Sequence, residues 1–279
     1  MMSAVLTPAA PTAAAPVGLL KVTQGRVVRS EWMKFRSLRS TLYTLLAAVI
    51  LMIGIGALFS AVTASQYHTF SAADNAAFNP ISTSLTGISF AVVAFGVLGV
   101  LLMSGEYSTG MIRSSLTAVP RRLPVLWGKL AVFAGAIFST SLVASFISFF
   151  VGQALLSSHH LNVAITAPGA LRSVIGAALY VTVAGMIGVA LGALLRNTAA
   201  GISTFVGVFF VIPPLTALLP ASISAHLTQY LPSNAGEVLW GGTHGVQNAL
   251  SPWTGFALLC GYAVILIAAA AWRLRRADA

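Results

Sequence analysis

Charged residues divide this chain of 279 residues into six long uncharged stretches, and no other feature limits its fold as strongly. A helix needs about 20 apolar residues to cross the hydrocarbon core of a bilayer. Even the shortest stretch, residues 173–195, is long enough. Only 7% of the residues are charged, whereas a soluble domain carries roughly 25%. We therefore predict an all-α integral membrane protein with six transmembrane helices.

The sequence also predicts where the tail ends and where the helices begin. Residues 1–18 are rich in Ala and Pro and lack the basic and apolar regions of a signal peptide, so we predict a disordered tail before a membrane domain over 19–279. Asn79-Pro80 and Ser251-Pro252 each place a capping residue before proline, which favours a helix start, and Pro168 offers a weaker start. The predicted spans are 41–64, 80–103, 124–156, 170–195, 199–219 and 252–272.

The basic residues predict the orientation. Six spans bring both termini to one side of the membrane, and of the fifteen Lys and Arg residues only Arg172 falls on the other side. Because basic loops stay in the cytoplasm, we expect cytoplasmic N- and C-termini. Topology also accounts for the net charge of +10, so we expect no nucleic acid partner.

Residues 26–39 predict an amphipathic helix at the cytoplasmic membrane interface. Val28, Trp32, Phe35 and Arg39 share one stripe of this helix, and basic residues occupy much of the remainder. Such a helix buries its apolar side among headgroups and turns its basic side towards anionic lipids. The same charges also help to fix the topology. The predicted interfacial residues are Trp32, Lys34, Arg36 and Arg39.

The sequence offers no catalytic site. The five acidic residues lie outside the predicted spans and far apart in the sequence, so a carboxylate pair or an acidic metal site has no candidates. There is no G-x-S-x-G motif, and Gly128-Lys129 lacks the surroundings of a phosphate-binding P-loop. Cys260 is the only cysteine, which excludes a disulfide framework. We expect no enzymatic activity, no metal site and no cofactor bound by this chain.

The central parts of the predicted spans also lack charged residues. Ion-coupled pumps usually carry such residues at membrane depth. If this protein moves a substrate uphill, the energy must therefore come from a partner.

The segment GEYSTGMIRSSLTAVPRR, residues 105–122, is the most distinctive part of the chain. It places Glu106 at the exit of the second span, and residues 109–118 can form a short helix that contacts a cytoplasmic partner or lies on the headgroups. Together with SEWMKFRSLRS (30–40), LGALLRNTAAGI (191–202) and the six-span hydropathy, this segment resembles the permease subunits of ABC-2-type exporters, particularly their actinobacterial members.

The resemblance implies a half-transporter in a bacterial cytoplasmic membrane. Two six-span permease subunits, identical or different, would pair, and each would dock a separate ABC ATPase that binds ATP and Mg. The segment near 26–39 would be the connecting helix, segment 220–251 the outer re-entrant region, and spans two and five the lining of the export path. The residues implied in coupling to the ATPase are Glu106, Gly110, Arg113 and Leu116.

Span five contains an interruption that fits a path-lining helix. Pro213-Pro214 must break backbone hydrogen bonding there, and such a break at membrane depth is tolerated only against protein or water. Plain helix packing is the alternative explanation for the aromatic residues of this span. The candidate residues of the translocation path are Phe95, Phe205, Phe209 and Pro213.

Residues 220–251 predict a gate at the outer surface. The segment is long for a connection, and Tyr230 and Trp240 are among residues that make it too apolar for a solvated linker. Because Glu237 would be costly to bury without a partner, we expect it to reach water, a polar helix end or the second subunit, as an outer gate. A static lid is the alternative.

These observations together predict a permease subunit that exports an amphipathic or lipophilic substrate, such as a drug, an antibiotic, a peptide or a lipid. The alternative is a membrane receptor or scaffold that docks a cytoplasmic partner without transport.

Overall fold

The computed structural model describes residues 23–71, 78–108, 110, 122–242 and 248–276. All regular elements in these ranges are helices, and six of them are long and apolar enough to cross a membrane. The predicted fold class is therefore confirmed. The tail prediction for residues 1–18 lies outside the described residues. Spans one to six are Arg39–Gln66, Pro80–Ser108, Leu123–His159, Ala170–Leu195, Thr198–Leu218 and Pro252–Arg276.

Eleven α-helices are named here in chain order over the described residues. They are α1 Gln24–Ser37, α2 Arg39–Gln66, α3 Pro80–Leu85, α4 Ile88–Ser108, α5 Arg122–Leu156, α6 Ala170–Leu195, α7 Thr198–Val206, α8 Ile212–Leu215, α9 Ala221–Leu227, α10 Pro232–Glu237 and α11 Pro252–Arg276. Span two consists of α3 and α4, and span five contains α7 and α8.

Capping side chains begin two of the spans as predicted. The Asn79 Oδ1 accepts hydrogen bonds from the backbone N–H of Ile81 at 2.9 Å and of Ser82 at 3.3 Å. Ser251 Oγ accepts one from Thr254 N–H at 3.4 Å. Helix α6 begins at Ala170, the predicted start of the fourth span, and follows Gly169, so Pro168 does not occupy the first helical position. Gly169 has a φ of 85°, a conformation that glycine adopts without strain.

Spans two and four form the centre of the bundle. A side chain at Gly188 would overlap the backbone of Gly96, and one at Gly99 would overlap the carbonyl of Gly185. The two helix backbones therefore touch, which only small residues permit. Span four therefore packs closely on span two through its glycines.

Span five is interrupted where the sequence predicts it. Helix α7 ends at Val206, a π-helical segment follows over Gly207–Val211, and α8 then contains Pro213 and Pro214. A proline supplies no backbone N–H and crowds the preceding turn, so the helix widens before it.

Contacts between distant parts of the chain define two ends of the bundle. At one end Lys129 contacts Glu31 of α1 and Glu106 at the end of α4. We call this end, which also receives the last turn of α11 with its three arginines, the basic end. At the other end Ser89 of α4 donates a hydrogen bond to Glu237. We call it the groove end, after the cavity described below.

Helix α1 ends earlier than predicted and packs one side against the bundle. It ends at Ser37, because Leu38 is extended, and Arg39 belongs to the next helix. Trp32 is 46% exposed, whereas Phe35 of the same predicted stripe packs inside the protein. The helix packs along α5. Its buried residues are Val27, Glu31 and Phe35.

Candidate functional site

Four charged side chains from three helices meet at the basic end, and we call them the charge cluster. Lys129 Nζ donates hydrogen bonds to Glu31 Oε2 at 2.7 Å and to Glu106 Oε1 at 2.9 Å. Lys34 Nζ donates to Glu31 Oε1 at 2.8 Å and to Glu106 Oε1 at 3.3 Å. The cluster thus joins α1 to the end of α4 and the beginning of α5.

The cluster is buried and internally neutral. The side chains of Lys129, Glu31 and Glu106 are 2%, 4% and 8% exposed, whereas that of Lys34 is 33% exposed. Removing a charge from water costs several kcal/mol unless partners compensate for it. Two acids and two bases compensate one another here, and losing either carboxylate would leave excess positive charge.

The pKa values of the α1 residues reflect this pairing. Burial alone would raise the pKa of Glu31, but the charges and hydrogen bonds of Lys129 and Lys34 outweigh burial and hold it below the usual 4.5. Burial would lower the pKa of Lys34, yet its hydrogen bonds and attraction to Glu31 and Glu106 raise it above the usual 10.5. Both residues are therefore ionised at neutral pH.

Glu106 stands at the junction between the cluster and the segment that follows span two. Its Oε2 is buried and has no hydrogen-bond partner among the described residues. Gly110, four residues on, has a φ of 71°, a conformation that glycine adopts without strain. The other two predicted coupling residues, Arg113 and Leu116, lie outside the described residues, so their role stays a prediction.

The predicted interfacial residues separate into two groups. Trp32, Arg36 and Arg39 are exposed, as an interfacial role requires. Lys34 instead turns into the charge cluster. The sequence analysis did not identify Glu31 or Lys129 as functional residues.

A groove of about 690 Å³ opens at the groove end. It lies between span two, span five and the segment that connects spans five and six. Phe90, Phe209 and Phe210 supply aromatic walls, while Ser89 and Thr228 are among the residues that supply hydroxyl groups. A cavity of roughly 300–1,000 Å³ with mostly apolar walls and a few polar groups is typical of small-molecule sites.

Glu237 is the only ionisable residue that lines the groove among the described parts of the chain. It ends helix α10, and its side chain accepts a hydrogen bond from Ser89 Oγ at 3.4 Å, with Tyr180 as a second hydroxyl neighbour. Burial raises the pKa of Glu237 to about 8, although both hydroxyl groups partly offset the effect. The carboxyl group therefore holds a proton at neutral pH.

The structure separates the four candidate residues of the translocation path into two groups. Phe209 and Pro213 line the groove. Phe95 and Phe205 are fully buried between the helices, and Phe205 packs against Gly96. Neither of these two residues reaches the groove, because their sides of spans two and five face the core of the bundle.

The segment between spans five and six folds back onto the bundle. Gly236 of α10 packs against Tyr180 and Leu259. Trp240 is fully buried, as expected of a segment that is too apolar for a solvated linker. Tyr230 is half-exposed.

The site has no features of a metal centre, since the described residues contain no group of three or more His, Cys, Asp or Glu that could hold a metal ion. No protein-family model matches this chain, and no curated protein matches it.

Proposed function

We propose that this chain is the membrane-spanning permease subunit of an ABC-type exporter, which provides the path for an amphipathic or lipophilic substrate and takes energy from a separate ATPase. The observation that carries this proposal is the construction of span two. The helix contributes Ser89 and Phe90 to the groove at one end and Glu106 to the charge cluster at the other.

The charge cluster provides a route for force from the basic end. It fixes α1 to α4 and α5 through short ion pairs in a buried setting. A partner that shifts α1 or the segment after α4 would therefore displace span two itself. Because α4 and α6 touch through their backbones at Gly96 and Gly188, spans two and four would move together.

The distribution of charge supports docking of the ATPase at the basic end. Basic residues mark the cytoplasmic side of membrane proteins, and ATP is available on that side. The groove would then face the external half of the membrane, which suits release of an exported substrate. We include membrane lipids and a second permease subunit among the partners, because large apolar residues of span five, such as Val211 and Leu215, are exposed.

The test is transport by a reconstituted complex. We expect the chain to copurify with an ABC ATPase encoded beside it, and proteoliposomes of that complex to take up fluorescent amphiphiles, such as rhodamine 6G or a fluorescent phospholipid, only with ATP and Mg. Glu106→Gln should abolish ATP-dependent uptake while the assembled complex still hydrolyses ATP. Arg172→Gln, at the opposite end and exposed, is the matched control and should transport normally.

Two results would contradict the proposal. Full uptake by an assembled Glu106→Gln complex would remove the role of the charge cluster in coupling. A copurifying kinase or regulator, with no ATPase and no ATP-dependent uptake, would support the receptor or scaffold alternative.

A further inference from the structure

We propose that the groove binds amphipathic cations, with the Glu237 carboxylate as the counter-ion and the phenylalanine walls as the contact for the apolar part. This inference deepens the proposed export function, on which its meaning as a substrate site rests, by naming the charge of the substrate.

The position of Glu237 is the first argument. It is 8% exposed, and it lines the groove rather than the outer surface of the protein. Ser89 Oγ donates a hydrogen bond to the carboxyl group, and the Tyr180 hydroxyl lies close to it. A ligand that brings a positive group to this position would form an ion pair shielded from water, where the attraction is strong.

The aromatic walls are the second argument. Phe90 and Phe210 stand edge to face with their ring centroids 6.4 Å apart, and Phe209 completes the apolar lining. Aromatic faces attract cations, most strongly where water is excluded. The groove is large enough for a ligand of several rings, so one compound can contact both the walls and the carboxylate.

The described lining of the groove carries no positive charge. No Lys, Arg or His belongs to the described lining of the groove. Among the elements packed on α10, span two presents Ser89, α6 presents Tyr180, and α11 presents Leu259. Tyr180 is the one titratable group among these three. Residues 207–211 and 228–230 also pack on α10, and the second of these segments contains Tyr230. An anionic ligand would therefore find no positive charge among the described lining residues.

A consequence is an exchange of a proton for a cation. In the empty groove the raised pKa of Glu237 keeps the carboxyl group protonated at neutral pH. A bound cation favours the ionised form, so binding releases the proton. The apparent affinity for a permanent cation should rise about tenfold per pH unit up to pH 8 and then level off, since only the deprotonated fraction binds.

Direct binding to the full chain in lipid nanodiscs, without the ATPase, tests the proposal. The probes are tetraphenylphosphonium, a permanent cation, and triphenylphosphine oxide, a neutral compound with similar rings, each corrected for binding to empty nanodiscs. We expect Glu237→Gln to weaken tetraphenylphosphonium binding about tenfold or more and to leave the neutral probe unchanged. Phe90→Ala should weaken both probes, which separates the contribution of the walls from that of the charge.

Each outcome has a defined meaning. Equal affinity of wild type and Glu237→Gln for tetraphenylphosphonium would overturn the proposal. So would a wild type that binds no tetraphenylphosphonium and whose groove is filled by a second copy of the chain. If Glu237→Gln fails to fold, the pH dependence of the wild type decides, and a flat profile between pH 6 and 8 would overturn it. Cation binding without ATP-dependent transport would leave this inference intact and contradict the export function. ATP-dependent transport without cation binding would support the export function and overturn this inference.

Discussion

The two ends of the bundle each bury carboxyl groups, but they surround them with different neighbours. At the basic end Glu31 lies between two ammonium groups, and its pKa is lowered. At the groove end Glu237 lies beside two hydroxyl groups, and burial raises its pKa to about 8. The comparison shows that burial alone does not decide the charge of a carboxyl group, because the charge of its neighbours does.

The difference suits two tasks. The ion pairs of the charge cluster hold three helices in one arrangement, so force applied to one of them reaches the others. A carboxyl group beside hydroxyl groups can instead lose its proton when a ligand binds, because the binding free energy of the ligand offsets the cost of ionising the group. The basic end thus has the properties of a joint and the groove end those of a binding site.

The largest expected effect on stability comes from removing Lys129, the central cation of the charge cluster. Lys129→Met leaves Glu31 and Glu106 buried around an apolar side chain, with only the partly exposed Lys34 nearby. Breaking a buried ion pair in this way costs about 3–5 kcal/mol. Thermal unfolding of the purified chain, followed by fluorescence-detected gel filtration, should show a large drop in the melting temperature.

A triple variant provides the control for Lys129→Met. Adding Glu31→Gln and Glu106→Gln removes the unpaired negative charges, so the triple variant should recover part of the lost stability. If Lys129→Met melts like the wild type, or if the triple variant is no more stable than the single one, the cluster does not hold the helices together.

The sequence predicts the spans but not the charge cluster, for a physical reason. Hydropathy is a local property, so six apolar stretches identify six spans without knowledge of their packing. The ion pair between Glu31 and Lys129 joins residues 98 positions apart, and this distance in sequence led to the expectation that no two acids cooperate. A signal was nevertheless present, because Glu31, Glu106 and Lys129 all flank apolar stretches at the same end of the bundle.

The path residues illustrate a second limit of the sequence. Spans two and five are apolar on all sides, so periodicity does not show which face is buried in the protein. Phe205 and Phe209 are one helical turn apart, yet the first is in the core and only the second reaches the groove. Glu237 could be singled out as an isolated acid among apolar residues, but its contact with Ser89 depends on the fold of α10.

An intermediate effect is expected at the groove end when the pH changes. The folded pKa of Glu237 lies above its usual value of 4.5, so the folded state holds the proton more tightly than the unfolded chain. The stability that this proton contributes is complete below pH 4.5 and is lost as the pH rises through 8. The slope is at most about 1.4 kcal/mol per pH unit between pH 6 and 7.5.

Glu237→Gln checks this assignment, because a glutamine does not titrate. The melting temperature of the variant should change less between pH 6 and 8 than that of the wild type. The charge cluster provides the reference in the same experiment. Glu31, with a lowered pKa, contributes stability that is lost only as the pH falls below 4.5. Parallel pH profiles of wild type and variant would assign the dependence to another group.

The smallest effect on stability is expected from removing Lys34, the partly exposed member of the charge cluster. Lys34 contacts the same two carboxylates as Lys129, but its side chain is 33% exposed, against 2% for Lys129. Water and salt screen an exposed ion pair, which typically contributes about 0–1 kcal/mol. Lys34→Met should therefore lower the free energy of unfolding by about 1 kcal/mol or less.

Ionic strength distinguishes the two lysines more sharply than the size of the effect does. The cost of Lys34→Met should shrink between 0.05 and 1 M NaCl, since the Debye length falls from above about 10 Å to about 3 Å, whereas the cost of Lys129→Met should persist. The pH does not interfere, because the raised pKa of Lys34 keeps it charged until the pH passes 10.5. If the two substitutions cost the same free energy of unfolding and show the same salt dependence, exposure does not distinguish Lys34 from Lys129. All four charges would then act as one buried unit.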